Sequence, residues 1–110
     1  MQVRTGIDLV FVPRMKDFLA NEVAVKKTFH PSELLPNTPE HCAGIFAAKE
    51  AFFKALRQAP RWLDIEIKKQ KDGRPELHLS QTIAQKIQSY DVSITHDGKY
   101  AVACVVLVLK

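Results

Sequence analysis

Phe46-Ala47-Ala48-Lys49-Glu50-Ala51-Phe52-Phe53-Lys54-Ala55-Leu56 is the run around which the chain is organised. At helical spacing it sets Phe46, Glu50, Phe53 and Arg57 along one side and Ile45, Lys49, Phe52 and Leu56 along another. Apolar residues on both flanks predict a helix largely buried in a small protein. A carboxylate there needs a partner, because burying an unpaired charge is expensive. Lys54 lies one turn after Glu50, in the favourable order for an ordinary surface ion pair. The other readings of Glu50 are a metal ion, a different cation, or an exit into a cleft.

Working outward, Gly6-Ile7-Asp8-Leu9-Val10 is a second run in which one acid interrupts an apolar, strand-like stretch. The first ten residues read as a strand, and Pro13 opens a short helix with Met15, Phe18 and Leu19 as its apolar stripe. His30-Pro31-Ser32-Glu33-Leu34 reads as a turn into a short helical piece. Thr38-Pro39-Glu40 is a helix start, with a capping hydroxyl, a proline in the first turn and an acid behind it. The central helix is predicted to run to Leu56 or Gln58, with Pro60 closing it. Leu63 to Lys68 and Glu76 to Leu79 alternate as a hairpin around Lys71-Asp72-Gly73-Arg74-Pro75. Ser80 is read as capping a helix that carries Ile83, Ala84 and Ile87. Val92 to Thr95 and Tyr100 to Leu109 are strands, joined by a tight connection at His96-Asp97-Gly98-Lys99. The last strand is apolar on both faces, which predicts cover on both sides, the outer by another subunit. The fold class is α+β, helices packed on a mainly antiparallel sheet in one domain spanning residues 1–110.

The composition is that of a soluble globular protein: 110 residues, 46% hydrophobic and 25% charged. No apolar run approaches the roughly 20 residues of a membrane span, and the N-terminus lacks a signal-peptide core. The formal charge of +4 favours an anionic partner without naming it. Cys42 and Cys104 sit among apolar neighbours in no metal-binding spacing, so they read as free thiols in a reducing cytoplasm.

No glycine-rich phosphate loop, Cys/His cluster or nucleophile elbow occurs. The residues left for chemistry are Asp8, Glu50, Lys54, His96 and Asp97; His30, His41 and His78 are assigned no role. Two acids on separate rigid elements, with lysines and a histidine, suit Mg²⁺ holding a phosphorylated ligand. Spacing alone does not bring Asp8 and Glu50 together.

In order along the chain, the run Gly6 to Val10, then Arg14, then Ala43 to Leu56, resembles the bacterial holo-[acyl-carrier-protein] synthases. The likeness continues through Trp62 to Ile67, Gly73-Arg74-Pro75, Val92 to Asp97 and Tyr100 to Ala103. This is the compact branch of the 4′-phosphopantetheinyl transferases. The resemblance implies transfer of the phosphopantetheine arm of coenzyme A to a serine of an acidic apo acyl-carrier protein, releasing adenosine 3′,5′-bisphosphate. It implies that Asp8 and Glu50 hold Mg²⁺, that Lys54 neutralises phosphate oxygens, and that His96 contacts a coenzyme A phosphate or helps the serine proton depart. It places Gly73 and Pro75 beside the nucleotide, aligns Arg14 with carrier binding, and implies a homotrimer with sites between subunits. Lys16, Lys26 and Lys27 join the docking surface through their charge. Neither nucleic acid nor membrane is an expected partner.

The chain departs from the family's pattern at three places. Ile45 stands where an arginine commonly faces the cofactor, Phe11 where an acid often follows, and Arg57 to Arg61 lacks the usual loop glycines. Arg57 or Arg61 is expected to replace the missing cation. The rival readings are a degenerate relative that binds coenzyme A without transfer, and a small basic nucleic-acid module. The second lacks aromatic residues interleaved with Lys and Arg.

Overall fold

The computed structural model describes residues 1–110. Strand β1 (Gln2–Phe11) leads into helices α1 (Val12–Leu19) and α2 (Glu22–Thr28), then a 3₁₀ turn and the long helix α3 (Pro39–Leu56). The hairpin β2 (Ile65–Lys69) and β3 (Pro75–Leu79) follows, then one turn of helix α4 (Gln81–Ala84) and strands β4 (Ile87–Asp97) and β5 (Tyr100–Leu109). One antiparallel sheet has the order β1-β5-β4, and β2-β3 forms a separate antiparallel ribbon. The expected α+β class, with helices on antiparallel sheet, is what the structure shows.

Helix α3 starts where its sequence says it should. Thr38 accepts from the His41 amide and Pro39 occupies the first turn. Ala47, Ala48, Ala51, Phe52 and Phe53 are buried, so the helix is apolar around most of its girth. Burying a side chain such as Phe52 contributes about 1.5–3 kcal/mol. The helix ends at Arg57, which takes the left-handed conformation (φ 60°) that glycine usually supplies.

α3 lies across β1 and β5, and the closest seam is at Gly6. A Cβ built there would stand 1.9 Å from the Ala51 carbonyl oxygen, so only glycine lets strand and helix meet. Side chains alternate along a strand, so Asp8, two residues on, points to the same face and is buried against the helix.

Several local expectations change. Ile87 belongs to β4, not to the helix after Ser80, which stops at Ala84. A 3₁₀ turn takes Trp62 to Asp64, so β2 starts at Ile65. His96 and Asp97 are the last residues of β4, and only Gly98-Lys99 turns. Lys26 and Lys27 close a helix, α2, capped by Asn21. β5 is covered by α3 on one face, through Ala101, Ala103, Val105 and Leu107. Within one chain its other face is open: Cys104 is exposed, and across the sheet Val3, Ile7 and Leu9 are 65%, 63% and 60% exposed.

Candidate functional site

Asp8 and Glu50 converge. The carboxyl of Glu50, on α3, lies within hydrogen-bonding reach of the Asp8 carboxyl on β1. Lys54 completes the cluster, its Nζ donating to Asp8 Oδ1 at 2.9 Å and to the Ile7 carbonyl at 3.2 Å. The lysine thus pairs with the distant Asp8, not with Glu50 one turn before it. Asp8 is 8% exposed and Lys54 57%, so the acid is fixed and the cation reaches in from solvent.

Two acids this close resist ionising together. Burial, then the Asp8 carboxyl, raises the Glu50 pKa from 4.5 to about 7, against the opposing pull of Lys54. Asp8 in turn pushes the Lys54 ammonium up. Asp8 Oδ2 is buried with no hydrogen-bond donor. A buried acceptor left unpaired calls for a proton or a cation. The donor set of two carboxylates suits a hard divalent ion such as Mg²⁺, with waters and ligand oxygens completing its shell. No cluster of three or more metal-ligating side chains occurs in the chain.

Two recesses meet at Glu50. One, about 260 Å³, lies between Asp8 and Arg14, with Phe11, Phe18 and Phe46 in its wall. The other, about 300 Å³, is bounded by Glu50, Lys54 and Arg57. Arg14 is therefore beside the carboxylates, while Lys16, Lys26 and Lys27 are exposed on α1 and α2.

His96, Gly73 and Pro75 come together elsewhere, in a recess of about 360 Å³ where the β2–β3 ribbon faces the first turns of α3. His96 Nε2 is 2.9 Å from the Glu40 carbonyl, and the ring packs on Gly44, where a Cβ would stand 3.0 Å from it. Ile45 lines this recess, as do Lys68, Lys69 and His41. Neither Arg57 nor Arg61 does: Arg57 lies in the recess beside Glu50, and Arg61 Nε is tied to Asp64 at 2.8 Å.

The sequence reading assigned no role to His41, although it lies three residues before Gly44 and so on the same side of the helix. It also missed the anchor beneath the recess. Lys49 Nζ meets Glu33 Oε1 at 2.6 Å with both side chains fully buried, and donates to the carbonyls of Thr28 and Trp62. Glu33 accepts from the His30 and Ile67 amides as well. One ion pair thus ties α3 to the 3₁₀ turn before it and to β2.

Known proteins share this arrangement of elements. Residues 4–105 match the family model described as ACPS, the 4′-phosphopantetheinyl transferase superfamily. The holo-[acyl-carrier-protein] synthase of Nautilia profundicola is 38% identical over 109 residues, covering 93% of this chain and 96% of that protein. The crystal structure of the Helicobacter pylori holo-[acyl-carrier-protein] synthase in complex with coenzyme A superposes with a TM-score of 0.83 at 33% identity, over 94% of this chain and 99% of that one. The Chronobacterium ammoniagenes ACPS–coenzyme A complex gives 0.83 at 29% identity, over 100% and 99%. With sequence and fold agreeing over nearly its whole length, the chain belongs to the 4′-phosphopantetheinyl transferase superfamily.

Proposed function

We propose that the chain is a holo-[acyl-carrier-protein] synthase that transfers 4′-phosphopantetheine from coenzyme A to a serine of an apo acyl-carrier protein. The serine oxygen attacks the β-phosphorus and passes its proton to the Glu50 carboxylate, directly or through a water. The bond from that phosphorus to the bridging oxygen breaks, and adenosine 3′,5′-bisphosphate leaves. The observation that carries this reading is the meeting of Asp8 and Glu50 across the β1–α3 seam, with Asp8 Oδ2 buried and unpartnered.

Asp8 and Glu50 are the residues that would hold Mg²⁺. When bound, the ion supplies neutralisation of the diphosphate and of the charge developing in the transition state. Lys54 and Arg57, on the same helix end, bind and orient the diphosphate oxygens. His96, Gly73 and Pro75 take the nucleotide end, and the recess behind Gly44 gives it room. Arg14, Lys16, Lys26 and Lys27 face the acidic carrier; complementary charge there speeds encounter more than it tightens binding. The open apolar face of β1 and β5 supports a subunit interface, and the homotrimer with sites between subunits is the assembly that the family resemblance implies. The free thiols Cys42 and Cys104 suit a cytoplasmic setting.

The test is to incubate the protein with coenzyme A, Mg²⁺ and an apo carrier protein and to weigh the carrier by mass spectrometry. A phosphopantetheine gain is expected, nearly abolished by Asp8→Ala and by Glu50→Ala. Coenzyme A binding without any mass gain would identify a degenerate relative instead. Near-normal turnover of either variant at limiting Mg²⁺ would remove the metal assignment.

A further inference from the structure

The recess under the β2–β3 ribbon is basic on its rim and apolar on its floor. Lys68 and Lys69 contribute the cations, His41 and His96 two imidazoles, and Ile45, Ile67 and Ile94 the floor. Glu33 is the one carboxylate in its wall, and that charge is spent on buried Lys49 and on two backbone amides. Lys69 has no carboxylate partner, and Lys68 reaches Glu66 only at 3.9 Å. The recess therefore offers net positive charge beside an apolar surface, which suits a nucleoside phosphate.

Coenzyme A carries two separate anionic groups, the diphosphate and a 3′-phosphomonoester on the ribose. Resting on the proposed function, the diphosphate belongs with Asp8, Glu50 and Lys54. Gly44, in the recess wall, is six residues before Glu50, about 9 Å along the helix. An anion in the recess is then a different group from the diphosphate, since none of Asp8, Glu50 and Lys54 lines it.

We infer that His41 and Lys69 grip the 3′-phosphate of the donor, and that this pair sets the preference for coenzyme A over its 3′-dephospho form. The role expected of Arg57 or Arg61 thereby moves from the C-terminal end of α3 to its first turns. His41 is built for it. Its Nε2 is 2.9 Å from the Glu33 carbonyl, an acceptor only, so Nε2 carries hydrogen and Nδ1 is the atom left for a ligand. Neutral Nδ1 is an acceptor and so is a phosphate oxygen, so the imidazole must gain a proton as the phosphate enters.

Burial keeps the free His41 imidazole below its usual range, helped by Lys69 and His96 and opposed by the Glu33 carbonyl and carboxylate. The groups around it are Glu33 on the 3₁₀ turn, Lys68 and Lys69 on β2, His96 on β4, and exposed Glu40 beside it on α3. A dianion arriving among them reverses the balance and draws the proton on.

Titration calorimetry with coenzyme A and with 3′-dephospho-coenzyme A, in Mg²⁺ and in buffers of different ionisation enthalpy, reads both effects. The wild type is expected to prefer coenzyme A and to take up a proton with it that the dephospho form does not bring. His41→Ala should cut that preference ~10-fold, the scale of one charged hydrogen bond, and abolish the extra proton. Lys69→Ala, on an exposed strand end where the fold is not at stake, should cut it by a similar factor and keep the proton. In both, affinity for the dephospho form should stay the same. An unchanged preference in the two variants overturns the inference. So does a wild type that binds and transfers from both donors equally, which would leave the proposed function standing. A wild type that binds neither donor overturns both.

Discussion

Gly6 and Ala51 are in backbone contact: the helix carbonyl sits where a side chain on the strand would begin, 1.9 Å from the position of an added Cβ. Everything that follows at the carboxylate cluster depends on that closeness, because Asp8 and Glu50 each lie within two residues of it. Gly6→Ala must push α3 away from β1, since the obstructing atom is backbone and cannot rotate aside. The expected cost is about 1–3 kcal/mol in urea denaturation, typical of overpacking. Transfer measured where the variant is still folded should fall further than that loss explains. A variant with normal stability and normal turnover would show the seam to be irrelevant.

Glu50 gives the pH dependence a definite sign. Its pKa rises from 4.5 to about 7 on folding, through burial and the neighbouring Asp8. Between these values the folded chain binds a proton that the unfolded chain has lost, so stability falls as pH rises through that window. A cation bound by the pair competes with the same proton. At limiting Mg²⁺, transfer should rise with pH up to and through about 7, and more Mg²⁺ should move the rise to lower pH. Denaturation of Glu50→Gln without metal should lose the slope between pH 5 and 7 that the wild type shows.

Much of this cluster could be read from residue types, and the remainder could not, for a geometric reason. Asp8 stood out because an acid in an apolar strand needs compensation, and Glu50 for the same reason on a helix. Their meeting depends on which strand packs on which helix, a long-range fact that spacing does not carry. Lys54 illustrates the difference. Its nearest carboxylate in sequence is Glu50, yet its ion pair is with Asp8, 46 residues away. Lys49 was placed on the flank with Ile45, Phe52 and Leu56, which is where it lies, but its partner Glu33 sits in a turn without periodicity. Ile87 fits a helical stripe and a strand equally well, and packing against the sheet decided for the strand. His41 carried no local signal, because its neighbours Lys69 and His96 come from other elements.

Arg57 holds a left-handed backbone that costs a non-glycine residue roughly 1 kcal/mol. It does so next to Glu50 and Lys54, in the recess assigned to the diphosphate. Arg57→Gly should therefore stabilise the fold by about 0.5–1 kcal/mol in denaturation while weakening coenzyme A binding. A gain in stability with unchanged affinity would mean that Arg57 is only a poor helix cap.

The buried pair of Lys49 and Glu33 makes an opposite kind of prediction. Lys49→Met leaves Glu33 without its counter-ion among buried groups, at an expected cost of about 3–5 kcal/mol. Adding Glu33→Gln removes the stranded charge and should restore part of that loss, so the double-mutant cycle should show strong coupling. The exposed Arg74–Asp72 pair, at a similar distance of 2.7 Å, should show almost none. Equal coupling for the two would mean that burial contributes nothing here.

The open face of the sheet is the last feature to be accounted for. Ile7 lies opposite Cys104, Leu9 opposite Val102 and Thr5 opposite Val106, so β1 and β5 present one mostly apolar band. Along β4 the residues facing that band are polar, Ser93 beside Cys104 and Thr95 beside Val102, which gives it an edge. An apolar band with a polar rim has the make-up of a subunit interface. The wild type should sediment as three chains of 12.4 kDa each. Cys104→Arg and Val106→Glu place charge in the middle of the band, away from Asp8 and Glu50. Each should shift the protein to single chains and, with sites between subunits, abolish transfer while the far-ultraviolet dichroism is retained. Wild-type protein sedimenting as a single chain with full activity would show that the band is left bare.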